Sequence, residues 1–137
     1  MPQMIFVNLP VKDLDTTKAF FGKLGFSFNP QFSDDKTACL VISDTIFAML
    51  LTEPRFKEFT KKEIADTSRT TEVLLALSAE SREKVDEMAD TALASGGSPA
   101  NEPQDHGFMY GRSFHDPDGH TWEVIWMDPS AVEGQQG

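Results

Sequence analysis

The sequence predicts an α+β fold built from two βαβββ halves, and three observations carry that reading. A strand, an amphipathic helix and three more strands follow one another in the first part of the chain. After a polar stretch from Thr52 to Thr70 the same order restarts, at an offset of about 70 residues, half of the 137-residue chain. The last two strands are joined by Asp116-Pro117-Asp118-Gly119, in which proline presets the first turn angle and glycine closes the turn. The two halves are not similar residue by residue, so the repeat lies in the order of elements. The length predicts one domain over 1–137. Within it a first module covers residues 4–52, a linker 53–70 and a second module 71–128.

The elements follow from local chemistry. Met4 to Leu9 reads as the first strand. Asp13 or Asp15 can cap a helix whose apolar positions Leu14, Phe20, Phe21 and Leu24 fall on one side, and Gly25 ends it. Phe26 to Phe28 is a short strand, and Ala38–Ser43 and Thr45–Leu51 are two longer ones joined at Ser43-Asp44. In the second half Glu72–Leu77 is an apolar strand. Ser78 or Ser81 caps a helix with Val85, Met88, Ala89, Ala92 and Leu93 at helical spacing, ended by Gly96-Gly97. The loop from Ser98 to Gly107, with two prolines, is expected to hold one short edge strand. Met109–His115 and Thr121–Trp126 form the final hairpin, and the tail from Asp128 to Gly137 is expected to fray.

Charge excludes several classes of partner. Lys plus Arg number 12 against 22 Asp plus Glu, a net charge of −10, with the acids spread along the chain. Such a chain repels a phosphate backbone and an anionic lipid surface, which argues against nucleic acid and membrane as partners. No segment approaches the roughly 20 apolar residues of a membrane span, and the first ten residues lack the basic start of a signal peptide. The single cysteine, Cys39, lies in the run Ala38–Ile42 and reads as a buried core thiol. A cytoplasmic location is the expectation.

Few residues suggest chemistry. Glu123 lies between Trp122 and Val124 in an apolar strand. It could be exposed at a rim, paired with Arg112 on the adjacent strand, or held in a pocket as an acid–base residue. Trp122 and Trp126 alternate away from Glu123, towards a helix. His115 and His120 flank the final turn, where histidines are mostly surface residues, and His106 sits on a loop where a general base is conceivable. Phe56, Phe59 and Ile64, set among Lys57, Lys61 and Lys62, suggest a short amphipathic helix, either packed on the core or serving as a lid or a contact for a second chain.

Two stretches carry a resemblance to a known family. Phe6-Val7-Asn8-Leu9-Pro10-Val11-Lys12-Asp13-Leu14 with Ala19-Phe20-Phe21-Gly22-Lys23-Leu24-Gly25-Phe26 resembles the first strand and helix of the vicinal oxygen chelate superfamily. That superfamily gathers glyoxalases, bleomycin-resistance proteins and extradiol dioxygenases. Phe114-His115-Asp116-Pro117-Asp118-Gly119-His120-Thr121-Trp122-Glu123-Val124 resembles its last hairpin. The resemblance implies curved mixed sheets around a concave cup that takes a small molecule. It also implies a homodimer, and in enzyme members a divalent metal held by side chains on the first and fourth strand of each half. Carried over residue by residue, those positions fall on Phe6, at or beside Met49, on Leu74 and on Glu123. Only Glu123 suits a hard or borderline cation. A register shift of two would bring in Asn8 and Glu72 beside Glu123. The resemblance therefore implies no cofactor and a ligand pocket of Phe6, Asn8, Met49, Leu74 and Glu123. The leading expectation is binding of a small, partly apolar molecule without the usual metal. The alternative is a lyase, isomerase or dioxygenase with Glu123 as metal ligand or catalytic acid–base residue.

Overall fold

A computed structural model describes residues 2–131. The expected fraying of the tail falls mostly on residues 132–137, outside the described residues. Residues 128–131 form a turn in which Asp128 accepts from the Ser130 backbone N–H and hydroxyl. The chain divides into two compact units between Asp66 and Thr67. Among the described residues no helix is long and apolar enough to cross a membrane.

The first unit opens with strand β1 (Ile5–Val11) and helix α1 (Leu14–Lys23). Asp13 caps the helix, its carboxylate accepting from the backbone N–H groups of Asp15 and Thr16 at 2.9 and 3.2 Å. Gly25, at φ +99°, ends it in a Schellman arrangement in which the Phe26 N–H reaches the Phe21 carbonyl and the Gly25 N–H that of Gly22. Strands β2 (Ser27–Phe28), β3 (Thr37–Val41) and β4 (Ile46–Thr52) follow. The sheet runs β1-β4-β3-β2, with β1 and β4 parallel and the other pairs antiparallel. Leu9, Val11, Ala38, Leu40, Ala48 and Leu50 share one face and are almost wholly buried, together with Phe20 and Phe21 of α1. Pro10 is tolerated because β1 is an edge strand.

The segment after β4 does not form the expected helix through Ile64. One turn of helix, α2 (Glu53–Phe56), passes into a 3-10 turn over Lys57–Phe59. Thr60 then leaves in extended conformation and its hydroxyl takes the Lys62 N–H, competing with helix continuation. Phe59 stays 66% exposed beneath the Arg55 guanidinium.

The second unit repeats the plan with strand β5 (Leu74–Ser78), helix α3 (Arg82–Ala94), two-residue strands β6 (Ser98–Pro99) and β7 (Gln104–Asp105), and the long hairpin β8 (Met109–His115) and β9 (Thr121–Met127). The sheet runs β5-β9-β8-β6, and β7 also pairs with β8. The single edge strand expected here is thus split in two, because Pro99 and Pro103 cannot donate to a continuous ladder. Val85, Ala89 and Ala92 of α3 are fully buried, as are Phe114, Trp122 and Val124 on the sheet face that α3 covers.

The turn between β8 and β9 is built around a buried carboxylate. Asp116 is 4% exposed. One of its oxygens accepts the backbone N–H groups of Asp118 (2.9 Å) and His120 (3.0 Å), and the other accepts Trp122 Nε1–H at 3.0 Å. Burial pushes its pKa up. Gly119 has φ +81°, and a Cβ there would lie 2.6 Å from the Thr67 hydroxyl, which donates to the Asp118 carbonyl. His120 corrects the expectation for turn-flanking histidines. It is 1% exposed, because residues 67–72 fold over the turn and Glu72 places a carboxylate oxygen 2.7 Å from His120 Nδ1. His115, the other histidine flanking the turn, lies opposite Thr121 in the ladder.

On the helix face, Arg112 donates to Asp86 (3.0 Å) and Asp90 (2.8 Å) of α3, and Tyr110 donates to Asp86 at 2.6 Å. Arg112 pairs in register with Val124, so it points away from Glu123, and the alternative of an Arg112–Glu123 pair is not realised. The Tyr110 hydrogen bond, then Arg112, holds Asp86 below its ordinary carboxylate range.

Two stability predictions follow from these contacts. Asp116→Ala leaves three N–H donors without their acceptor and is expected to lower the unfolding free energy by about 2–4 kcal/mol in urea melts. Asp116→Asn, which keeps one acceptor oxygen, should lose less. Because the native pKa of Asp86 is depressed, its contribution is complete above the unfolded value near 3.8 and is lost as pH falls through the lower native value. Asp86→Ala should therefore cost about 1 kcal/mol at neutral pH, a figure discounted for a half-exposed carboxylate, and less at about pH 2. Equal penalties at both pH values would refute that assignment.

Candidate functional site

Strand alternation sorts the second sheet into two faces. Trp122, Val124 and Trp126 point to the α3 side, and Thr121, Glu123, Ile125 and Met127 to the other. Register sets Glu123 between Ala76 of β5 and Ser113 of β8, and Ile125 between Ser78 and Gly111. This face holds two adjoining hollows. One, of about 410 Å³, is lined by Ala76, Leu77, Ser78, Ala79, Ile125 and Met127. The other, of about 70 Å³, includes Asn101, Glu102, Gln104, Ser113 and Glu123, and shares Ile125 with the first.

The polar hollow has a fixed wall. The Ser113 hydroxyl accepts the Asn101 N–H at 2.8 Å. Farther along, Arg82 of α3 grips Asp105 with two hydrogen bonds of 2.8 Å and donates to the Gly107 carbonyl at 2.9 Å. Its guanidinium also lies over the rings of Tyr110 and Trp126, 5.1 and 5.2 Å from their centroids. The Arg82 fork, then the Gly107 N–H, holds the Asp105 carboxyl far below its ordinary range. The stretch from Asn101 to Gly107, bare of side-chain packing in the sequence pattern, is thereby pinned to α3 and β8.

Glu123 is half-buried, and among the described residues no hydrogen bond or ion pair engages its carboxylate. Leu74 lies on the same face one row away, opposite Thr121, and is 59% exposed. In the first unit Phe6, Asn8 and Met49 share one face of their sheet. Phe6 stacks on Phe47 at 5.1 Å, and Asn8 pairs in register with Met49, which faces Cys39 on β3. Asn8 Nδ2 donates to the Phe6 carbonyl at 3.3 Å. Cys39 is buried, and burial pushes its thiol pKa up. His106 stacks on Phe108, 6.3 Å between ring centroids, on an exposed loop.

The donor set does not fit the divalent metal associated with this fold. Phe6 and Leu74 offer no lone pair, Met49 offers only a soft thioether, and Glu123 alone is a hard donor. Glu72, the substitute brought in by a register shift, lies before β5 and meets His120. Among the described residues no three His, Cys, Asp or Glu side chains converge as metal ligands.

Sequence reasoning missed Ala76, Ser78, Ile125 and Met127. The signal was present, since Ile125 and Met127 follow Glu123 at the two-residue period of one strand face. The Arg82 clamp left no such signal, because its partners come from three separate segments.

Comparison with known proteins agrees with this architecture. The chain is similar to the hypothetical protein SA1046 from S. aureus, with 26% identity and a TM-score of 0.78 over 92% of this chain and 94% of that one. A glyoxalase/bleomycin resistance protein/dioxygenase family enzyme from Burkholderia phytofirmans PsJN shares the fold at 16% identity and a TM-score of 0.75, covering 92% and 99% of the two chains. So does the fosfomycin resistance protein FosX from Listeria monocytogenes, in complex with Mn(II) and sulfate, at 18% identity and a TM-score of 0.69, covering 100% and 99%. No curated protein matches the sequence. A sequence profile matches residues 3–124, and with the two mixed βαβββ sheets it places this α+β chain in the Glyoxalase/Bleomycin resistance protein/Dioxygenase superfamily.

Proposed function

We propose that this protein binds a small, partly apolar molecule on the open face of its second sheet, without the divalent metal of its metal-dependent relatives. The observation that carries the reading is the pair of hollows sharing Ile125, one apolar and one containing the carboxylate of Glu123, which has no partner among the described residues. Recognition sites commonly combine such an apolar wall with a few polar groups that fix orientation. Loss of suitable donors at Phe6, Met49 and Leu74 supports the metal-free part.

A second reading has Glu123 as a metal ligand or acid–base residue of an enzyme in the same superfamily. The Mn(II)-bound FosX structure from Listeria favours it, because it shares the fold across the whole chain.

Elemental analysis after exhaustive dialysis separates the two. Well under one equivalent of Mn, Fe, Ni or Zn per chain is expected. About one equivalent, lost in Glu123→Gln, would favour the enzyme. A naphthalene-based fluorescent probe should bind the dialysed protein, and Ile125→Asp should weaken it at least about tenfold by placing a charge in the apolar wall.

The homodimer belongs to the same proposal. Met4, Ile5, Phe6 and Ile46 stand 46, 54, 49 and 39% exposed around the start of edge strand β1, an apolar grouping that association would cover. Light scattering should give about twice the 15.2 kDa chain mass. Phe6→Glu should then shift it towards one chain mass.

A further inference from the structure

We infer that the molecule held on this face is an organic cation, its ammonium-type head between Glu123 and Glu102 and its apolar body along Ala76, Ile125 and Met127. The inference rests on the proposed pocket and adds the sign of the ligand's charge.

The residues lining the two hollows include two carboxylates, Glu102 and Glu123. The one basic residue bordering them is Arg112, whose guanidinium is turned to the opposite face and held by Asp86 and Asp90. Arg82, which clamps the strand β7 beside the polar hollow, is committed to Asp105 and the Gly107 carbonyl. An anionic head would therefore meet two like charges and no counter-charge, whereas a cation meets both acids, of which Glu102 is exposed and Glu123 half-buried, where attraction is stronger than in water.

Glu123 strengthens the case because it is half-buried among Ala76, Ile125 and Ser113 with no partner among the described residues. A carboxylate so placed loses hydration and gains nothing in return until a donor arrives. Ser113 does not supply one, since its hydroxyl lies against the Asn101 backbone at 2.8 Å from N and 3.5 Å from O. The apolar hollow of about 410 Å³ begins at Ile125, the residue it shares with the acidic one. One molecule with a charged head and a ring-sized body can thus reach both. The net charge of −10 adds long-range attraction for cations.

The test uses three probes with the same naphthyl body and different heads: 2-naphthylmethylammonium, 2-naphthylmethanol and 2-naphthoate. Each is titrated into the full chain by fluorescence and calorimetry at about 20 and about 500 mM NaCl. The ammonium probe should bind at least about tenfold tighter than the alcohol at low salt, the carboxylate most weakly, and the spread should narrow at high salt. Glu123→Gln should remove most of the ammonium's advantage over the alcohol and leave the alcohol unchanged, with Glu102→Gln giving a smaller loss. Urea melts of both variants show that the fold is kept. Alcohol binding with no ammonium preference, or a preference undiminished by Glu123→Gln, overturns the charge assignment and leaves the pocket standing. Failure of all three probes to bind overturns the charge assignment and the pocket together.

Discussion

The hydrogen bonds collected by Asp116 are the constraint on which the second half of the molecule depends. One buried carboxylate takes two backbone N–H groups of its own turn and the indole of Trp122, so turn geometry and strand register are fixed by the same side chain. Because strand side chains alternate, fixing Trp122 towards the helix fixes Glu123 towards the open face. A slip of one residue would bury the glutamate under α3 and expose the tryptophan, so the site exists because the register cannot move.

The two faces of that sheet treat charge in opposite ways. On the helix side each charged group of the Arg82 and Arg112 clusters has a partner: Arg82 with Asp105, Arg112 with Asp86 and Asp90, and Tyr110 sharing Asp86. These contacts tie α3 to β8 and hold the stretch around β7 in place. On the open side Glu123 has none among the described residues.

Membership of the superfamily and the chemistry of this chain point in different directions. The fold accommodates a divalent metal in its metal-dependent members, yet three of the four positions carried over here hold Phe6, Met49 and Leu74. Fold membership therefore does not by itself bring the metal chemistry with it.

By itself the sequence determined what depends on neighbours a few residues apart. The α+β class, the restart of the element order, the helix caps to within a pair of candidates each (Asp13 or Asp15, Ser78 or Ser81), the Gly25 stop and the Asp116–Gly119 turn were all legible, because caps, turns and two- or four-residue periods are local. The facing of Trp122 towards a helix followed from alternation alone. Tertiary structure decided the rest. His120 is buried because Glu72 and Thr67, 48 and 51 residues from their partners, fold across the turn. Arg112 faces Asp86 and Asp90 instead of Glu123, and Arg82 clamps a loop 23 residues away. Such pairings are set by which strand lies beside which and in what register, and neither is encoded in the spacing of residues along one segment.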